Sequence, residues 1–267
     1  MKINFSILSL LFCFFISFNN IKAQTGDAIP QHDSLRINSK ILNESRRINV
    51  WIPEEYRNST KALPVLYMPD GGLKEDFPHI ANTLSKLISD KKVPAYILVG
   101  IENTQRRRDL TPPTQVKSDM KIASIVGGAE NFQKFINDEL FSVINKKYPT
   151  TSYKAIIGES AAGLFIVETL MKKPDMFDAY IAIDPSIWWN NQSLTKNTPE
   201  FLKNIKTSKK LWMASSSDTL KEVNKLDKQI KSANQTLLKY FYNEQPKEQH
   251  NTIYRAVKED AMIWALN

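Results

Sequence analysis

The segment "AIIGESAAGLF", residues 155–165, holds the residues best suited to chemistry. Ser160 stands where a predicted strand turns into a predicted helix, and the small residues Gly158, Ala162 and Gly163 leave room for a sharp turn. A serine at such a corner lies beside the free N–H groups of a helix start, a setting for nucleophilic attack on an ester carbonyl. Ala162 replaces the second glycine of the usual G-x-S-x-G pattern. The alternative is that Ser160 simply caps the helix.

A nucleophilic serine needs a base, and in folds with this type of corner the partners follow in the order serine, acid, histidine. The chain has three histidines, and His250 alone follows Ser160. It ends the loop segment "NEQPKEQH", after the last predicted strand. This order predicts His250 as the general base; the alternative is an ordinary histidine of a surface loop.

Three carboxylates are candidates for the acid that orients the imidazole. Asp218 follows the strand "KLWMASSS", at the position where the acid usually lies, and we expect it to hold His250. Asp184, at the end of "AYIAI", and Glu222 are the alternatives. Asp218 is also suited to cap the helix that begins nearby.

An oxyanion hole requires backbone N–H groups from two segments. The segment "MPDGGL", residues 68–73, follows a buried strand, and its two glycines allow the backbone to approach a substrate closely. We expect Gly72 or Leu73 to supply one N–H group and Ala161 the other. The alternative for this segment is a plain turn.

These residues are separated by alternating strand and helix patterns. Residues 34–41 and 46–53 alternate polar and apolar side chains, as half-buried antiparallel strands do. Residues 63–68 and 95–101 are nearly continuous apolar runs, typical of strands buried on both faces. The pattern predicts an α/β fold with a mostly parallel central sheet, antiparallel N-terminal strands and helices on both faces. Residues 102–128 show no sustained period and are predicted to form a long loop.

The first 23 residues have the pattern of a secretory signal peptide: a basic start at Lys2, an apolar stretch and a small residue at Ala23. Cleavage there leaves residues 24–267 as a single domain, exported to the periplasm or secreted, with no stable membrane insertion. An uncleaved membrane anchor is the alternative. The single cysteine, Cys13, lies in the apolar stretch, so the mature chain lacks disulfides, a thiol nucleophile and a zinc–thiolate site.

The composition is that of a globular protein, with 42% hydrophobic and 24% charged residues in 267. The formal net charge is +8, and the basic residues, several of them lysine pairs, are scattered along the chain. Cations near helix C-termini stabilise those helices, and a scattered distribution gives little support to nucleic-acid binding.

Taken in order, six segments resemble the putative-esterase branch of the α/β-hydrolases, and most closely its subgroup of siderophore trilactone esterases. They are "PVLYMPDGG", "LVGIENTQRRRDLTPP", "GGAENFQKFINDELFSVINKKY", "GESAAGLF", "IDPSIWWNN" and "EQHNTIYRAV". The resemblance implies an α/β-hydrolase fold and hydrolysis of a small-molecule ester without a metal or cofactor. Glu159, Ala161 and Ala162 depart from the family's usual G-H-S-L-G-G motif, and Asp184 stands where serine is commoner.

The resemblance also suggests residues that contact substrate. The block "RRRDLTPP" matches the family's R-x-R-D-L-T-P pattern, and Arg108 is the arginine that we expect in the pocket; its alternative is an ion pair with Asp109. Trp188 and Trp189 of "PSIWWNN" are expected in the pocket wall, with packing in the core or a lid as the alternative.

The prediction is an exported serine ester hydrolase that acts through Ser160, His250 and Asp218 on a siderophore ester or an acylated carbohydrate. Two alternatives remain at this point. One is a non-catalytic ligand-binding protein on an esterase scaffold, suggested by the altered "GESAAG" motif. The other is an acyltransferase, in which an acceptor hydroxyl replaces water.

Overall fold

The computed structural model describes residues 26–267, so the predicted signal peptide (residues 1–23) lies outside the described residues. Strands begin and end close to the predicted apolar runs. They are β1 (Asp33–Ser39), β2 (Glu44–Trp51), β3 (Leu63–Pro69), β4 (Ile97–Ile101), β5 (Thr150–Glu159), β6 (Ala179–Ile183), β7 (Lys209–Ser216) and β8 (Leu238–Gln245). They form one eight-stranded sheet in the order β1-β2-β4-β3-β5-β6-β7-β8.

Strand β2 is antiparallel to both β1 and β4, and the other neighbouring strands run parallel. This confirms the predicted fold class. Glu159 pairs with Ile183, and Ile183 pairs with Ala214, so β5, β6 and β7 end at one edge of the sheet. Ligands of parallel sheets bind beyond this carboxyl edge.

Helices cover both faces of the sheet. They are α1 (Phe77–Ser89), α2 (Arg106–Leu110), α3 (Lys117–Met120), α4 (Ala129–Lys134), α5 (Phe141–Lys147), α6 (Ala161–Lys172), α7 (Trp189–Leu202), α8 (Leu220–Ser232) and α9 (Ile253–Leu266). Apolar residues of α1 and α9 form one core layer with Ile157, while α4 to α8 pack on the opposite face with Ile156. Side chains that alternate along β5 thus enter two different cores. Within residues 26–267, every helix is too short or too polar to cross a bilayer.

Two segments add detail to the predicted fold. Between α4 and α5 the helix is interrupted by a π-helical turn, Phe135–Leu140. In this wider turn, Glu139 Oε1 accepts the N–H groups of Lys40 and Ile41, at 2.9 and 3.3 Å. The long loop predicted at residues 102–128 contains the short helices α2 and α3.

Candidate active site

Ser160 forms a strained corner between β5 and α6. Its backbone has φ 61° and ψ −117°, a combination that residues other than glycine rarely adopt. The Ser160 N–H donates to Ile183 O, and Ser160 O accepts the N–H of Ser186, both at 3.0 Å. The Ser160 side chain makes no capping hydrogen bond to α6, so the helix-cap alternative does not describe this serine. The turn is instead held in its strained conformation by the adjacent strand β6 and the loop that follows it.

The small residues around Ser160 have distinct steric roles. A Cβ atom on Gly158 would lie 2.6 Å from Ala162 Cβ, and one on Gly163 would lie 3.0 Å from Ile183 O. Gly158 and Gly163 therefore let α6 approach the sheet. The Ala162 methyl group faces Gly158, which explains how alanine fits where the usual motif has glycine.

The His250 ring contacts a buried carboxylate at the end of β6. His250 Nδ1 lies 2.5 Å from Asp184 Oδ2, and Asp184 is fully buried. Asp184 also accepts the Ser216 N–H at 2.6 Å, the Ser216 hydroxyl at 2.9 Å and the Thr219 hydroxyl. Because Asp184 accepts from His250 Nδ1–H, the neutral ring keeps its lone pair on Nε2. That nitrogen is then able to take up a proton.

Asp218 holds the backbone of His250 rather than its ring, which differs from the prediction. The His250 N–H donates to Asp218 Oδ2 at 2.9 Å. The neighbouring Ser217 donates both its N–H and its hydroxyl to Glu248 O, each at 3.0 Å. The turn after β7 thus fixes the loop that carries His250, and the ring meets the carboxylate at the end of the adjacent strand, Asp184.

The charges at this edge shift three pKa values. Burial opposes ionisation of Asp184, but the hydrogen bonds from His250, Thr219 and Ser216 lower its pKa. The hydrogen bond to Asp184 raises the pKa of His250, and nearby Glu159 and Asp218 act in the same direction. Burial raises the pKa of Glu159 to about 8. The His250–Asp184 pair therefore favours a protonated imidazole more than an isolated histidine would.

The predicted oxyanion donors differ in availability. Gly72 N–H donates to Glu75 Oε2 at 2.6 Å and so already has an acceptor, contrary to the role predicted for it. Leu73 N–H makes no hydrogen bond within residues 26–267. Ala161 is the first residue of α6, where N–H groups lack an intrahelical acceptor. Leu73 and Ala161 are thus the predicted donors that remain free.

The three consecutive arginines of α2 differ in the ion pairs that they form. Arg106 forms a two-pronged ion pair with Asp70 at 2.6 and 2.7 Å and reaches Glu159 O at 3.4 Å. Arg108 binds Glu44 at 2.7 Å and Asp109 at 2.7 Å, so it takes the ion-pair alternative and is not free to bind substrate. Arg107 is partly exposed and has no ion pair within the described chain.

The two tryptophans also differ in their burial. Trp189 is buried, and its Nε1–H donates to Pro112 O at 2.9 Å, so it packs in the core as the alternative stated. Trp188 is 36% exposed and remains available to a ligand. The residues that follow, Asn190 to Gln192, form a left-handed turn, and Asn190 N–H donates to Asp119 at 2.8 Å. This hydrogen bond ties the turn that follows the two tryptophans to α3.

Sequence reasoning missed several contacts of the site. Ser186 Oγ lies 3.4 Å from Ser160 Oγ, and this is the side-chain hydrogen bond that Ser160 makes within the described chain. The Arg106–Asp70 pair and the Gly72–Glu75 contact were likewise not predictable from any pattern in the sequence. The contact of Asp184 with His250 was predictable as an alternative, because Asp184 is a carboxylate directly after a buried strand. Within residues 26–267, His, Cys, Asp and Glu side chains form no group of three that would suit a metal ion.

Comparison with known proteins places this geometry in a family. A family model described as "Putative esterase" matches residues 39–260. The ferri-bacillibactin esterase BesA of Bacillus subtilis is 31% identical over 175 residues, covering 60% of this chain and 61% of the relative. A siderophore triacetylfusarinine C esterase of Aspergillus fumigatus is 36% identical over 118 residues, covering 42% of this chain and 38% of the relative. The chain therefore matches less than two thirds of the length of each of these relatives.

Solved structures agree on the fold. An IroE-like serine hydrolase from Shewanella oneidensis has a TM-score of 0.77 at 26% identity, and the match covers 88% of this chain and 79% of that protein. The BES protein from Bacillus cereus has a TM-score of 0.78 at 23% identity, covering 88% and 96%. The chain has the α/β-hydrolase fold of these proteins.

Proposed function

Because the chain belongs to the putative esterase family, we propose that it is a serine ester hydrolase with Ser160 as nucleophile, His250 as general base and Asp184 as the acid that orients it. One observation carries this proposal. The His250 ring is fixed by a buried carboxylate at the same sheet edge as the strained Ser160 corner. A serine, a histidine and an orienting acid brought together in this way are the parts of a hydrolytic triad.

The chemistry proceeds in two halves. Ser160 Oγ attacks the ester carbonyl carbon as its proton passes to His250 Nε2, and the negative oxygen accepts hydrogen bonds from the Ala161 and Leu73 N–H groups. The tetrahedral intermediate collapses as His250 returns that proton to the leaving alkoxide, which departs as an alcohol. Water, deprotonated by His250, then attacks the acyl-enzyme and releases the acid and free Ser160. Asp184 keeps Nδ1 protonated throughout and balances the imidazolium charge.

In the resting site, Ser160 Oγ is within 3.4 Å of Ser186 Oγ, and we propose that it turns toward His250 Nε2 when substrate binds. Hydrogen bonds of catalytic groups are often long or misaligned before substrate binds and shorten in the complex. Rotation about the Ser160 Cα–Cβ bond between staggered rotamers redirects Oγ in this proposal, while the strained backbone holds the Cα in place.

For the substrate, we propose an ester that carries a negative charge, with a siderophore ester as the first candidate class. The relatives named above are siderophore esterases, and two side chains of this chain suit such a ligand. Arg107 offers a guanidinium without an ion pair in the described chain, and Trp188 offers an exposed aromatic surface. A neutral acylated carbohydrate would make no use of the Arg107 charge.

Export of the mature chain from residue 24 is also part of the proposal, supported by the N-terminal sequence pattern. Fractionation of cells that express the full chain tests it. We expect a product that begins at Gln24 outside the cytoplasm; full-length protein retained in the membrane would indicate an uncleaved anchor.

The test of the proposed activity is hydrolysis of p-nitrophenyl acetate by residues 24–267. We expect turnover by the parent and losses of about a hundredfold or more in kcat/KM for both Ser160→Ala and His250→Ala. Ser152→Ala, an exposed serine near the opposite end of β5, is the matched control and should keep parental activity. A folded parent no faster than Ser160→Ala would reject the hydrolase and leave a ligand-binding scaffold. A rate that rises with added alcohol, with ester formed, would indicate acyl transfer.

A further inference from the structure

An acidic residue directly precedes the candidate nucleophile, and one of its oxygen atoms has no partner. Glu159 Oε1 is buried and makes no hydrogen bond within the described chain. Its backbone is fixed on two sides: it pairs with Ile183 in the sheet, and its carbonyl accepts from Arg106 at 3.4 Å. The carboxyl group of this residue, the neighbour of Ser160 in the chain, therefore has a buried oxygen without the hydrogen bond that normally stabilises one.

The direction of the Glu159 side chain follows from the strand. Residues two apart along a strand share a face, and Ile157 packs in the core layer formed with α1 and α9. Glu159 thus faces the starts of these two helices, beneath the loop that carries His250. Tyr254, in the first turn of α9, is buried, and its hydroxyl also lacks a partner in the described chain.

Charged and titratable groups surround Glu159 from each of these elements. They are His250 of the β8–α9 loop, Asp184 at the end of β6, Asp76 before α1, Arg106 of α2 and Tyr254 of α9. Arg106 is already neutralised by Asp70, and Asp184 is neutralised only when His250 is protonated. A negative charge on Glu159 would therefore add to the carboxylates at this edge of the sheet, on the residue that directly precedes the candidate nucleophile.

We propose that Glu159 is a specificity-determining residue: in its neutral form it permits negative charge to develop on an ester bound at Ser160, and in its ionised form it opposes that charge. This inference rests on the proposed hydrolase function. Loss of the Glu159 proton to solvent also stabilises the His250 imidazolium, because an opposite charge nearby favours a protonated ring. The first effect slows acylation as the pH rises, because it destabilises the oxyanion. The second moves the pH at which His250 becomes neutral upward, because the ionised carboxyl group raises the pKa of the imidazole.

The burial of the carboxyl group is consistent with this role. Burial raises the pKa of Glu159 to about 8, with Asp76 and Asp184 acting in the same direction and His250 and Arg106 opposing them. Glu159 then changes charge in the pH range where a serine hydrolase works. His250 and Glu159 also shift each other's pKa: the imidazolium lowers the pKa of Glu159, and the carboxylate raises the pKa of His250.

The kinetic test is the pH dependence of kcat/KM from pH 5 to pH 10 for a neutral ester, phenyl acetate, and an anionic one, mono-phenyl succinate. We expect the parent to lose activity on the alkaline side, and more steeply for the anionic ester. Glu159→Gln should remove this decline and equalise the two esters' profiles, with a gain on the order of tenfold over the parent at pH 9 for the anionic ester. Glu244→Gln, an exposed carboxylate on β8, is the control and should retain the parental profile.

A second measurement is independent of turnover. The NMR chemical shift of the His250 ring, assigned by comparison with His250→Ala, should show two steps with pH in the parent and a single step, at lower pH, in Glu159→Gln. A single step in both proteins, or an alkaline decline that survives Glu159→Gln, would overturn the role of Glu159. A parent without hydrolytic activity but with two NMR steps would reject the hydrolase and with it the effect on esters, while retaining the charge coupling.

Discussion

His250 Nδ1 lies 2.5 Å from Asp184 Oδ2, and the backbone N–H of the same histidine donates to Asp218 Oδ2 at 2.9 Å. Two carboxylates from neighbouring strand ends thus hold one residue in different ways. Asp184 is fully buried and fixes the ring, whereas Asp218 fixes the chain that carries it. This division assigns the orienting role in the proposed triad to Asp184.

The first prediction separates these two carboxylates. Asp184→Asn should lower kcat/KM by about a thousandfold or more, because an amide facing Nδ1 favours the wrong tautomer of His250. Asp218→Asn keeps an oxygen able to accept the backbone N–H and should cost less than about tenfold. Hydrolysis rates of both variants, with circular dichroism to verify folding, provide the measurement. The reverse order of the two losses would return the orienting role to Asp218.

The second prediction concerns the acidic side of the pH profile. The hydrogen bond to Asp184 raises the pKa of His250, and the base must be neutral to accept the Ser160 proton. Activity should therefore fall as the pH decreases through a value above the ordinary 6.5 of histidine. In Asp184→Asn the residual activity should persist to lower pH. A parental midpoint at or below 6.5 would contradict the raised pKa of His250.

The third prediction exchanges the small residues of the corner. Gly158→Ala should lower the free energy of unfolding by about 1–3 kcal/mol, because its Cβ atom would meet Ala162 Cβ at 2.6 Å. Adding Ala162→Gly moves the methyl group from one residue to the other and should recover most of that loss. Urea unfolding of both single variants and the double variant measures the coupling. Strictly additive effects would show that the two positions do not compete for this space.

Part of this site followed from the sequence. Ser160 lies directly after β5, and His250 lies in the loop that follows β8. Because the ends of parallel strands meet at one edge, their placement at the same edge was predictable from order alone. The fold followed from apolar runs and helical periods in the same way. The identity of the orienting acid did not follow from the sequence, because Asp184 and Asp218 both come after adjacent strands and both contact His250. The directions of their side chains decide between them, and the order of residues does not encode those directions.

Long-range polar contacts account for most of the remaining differences. Arg108 pairs with Glu44, 64 residues away in the chain, and Gly72 finds its acceptor in Glu75 rather than in a substrate. Trp188 and Trp189 are identical in type and adjacent in sequence, yet Trp188 is partly exposed whereas Trp189 is buried and donates to Pro112 O. The contacts of these side chains depend on residues that are distant in the sequence, so no local sequence pattern predicts them.

The fourth prediction contrasts two neighbouring arginines. Arg106→Ala leaves the buried Asp70 carboxylate without its ion pair and should lower the free energy of unfolding by about 1–3 kcal/mol. Arg107→Ala should change stability by less than about 0.5 kcal/mol, since Arg107 has no ion pair within residues 26–267. It should instead weaken kcat/KM for an anionic ester by about tenfold and leave a neutral ester unaffected. Equal losses for both esters would show that Arg107 does not select for charge.

The most direct test of the account is covalent trapping of the nucleophile. Residues 24–267 would be treated with an alkyl fluorophosphonate, and the adduct located by peptide mass spectrometry. The account predicts one adduct on Ser160, none in Ser160→Ala, and labelling slowed about a hundredfold or more in His250→Ala, because the phosphonate reacts only with an activated serine. An adduct on another residue, or a folded parent that remains unlabelled, would contradict Ser160 as the nucleophile.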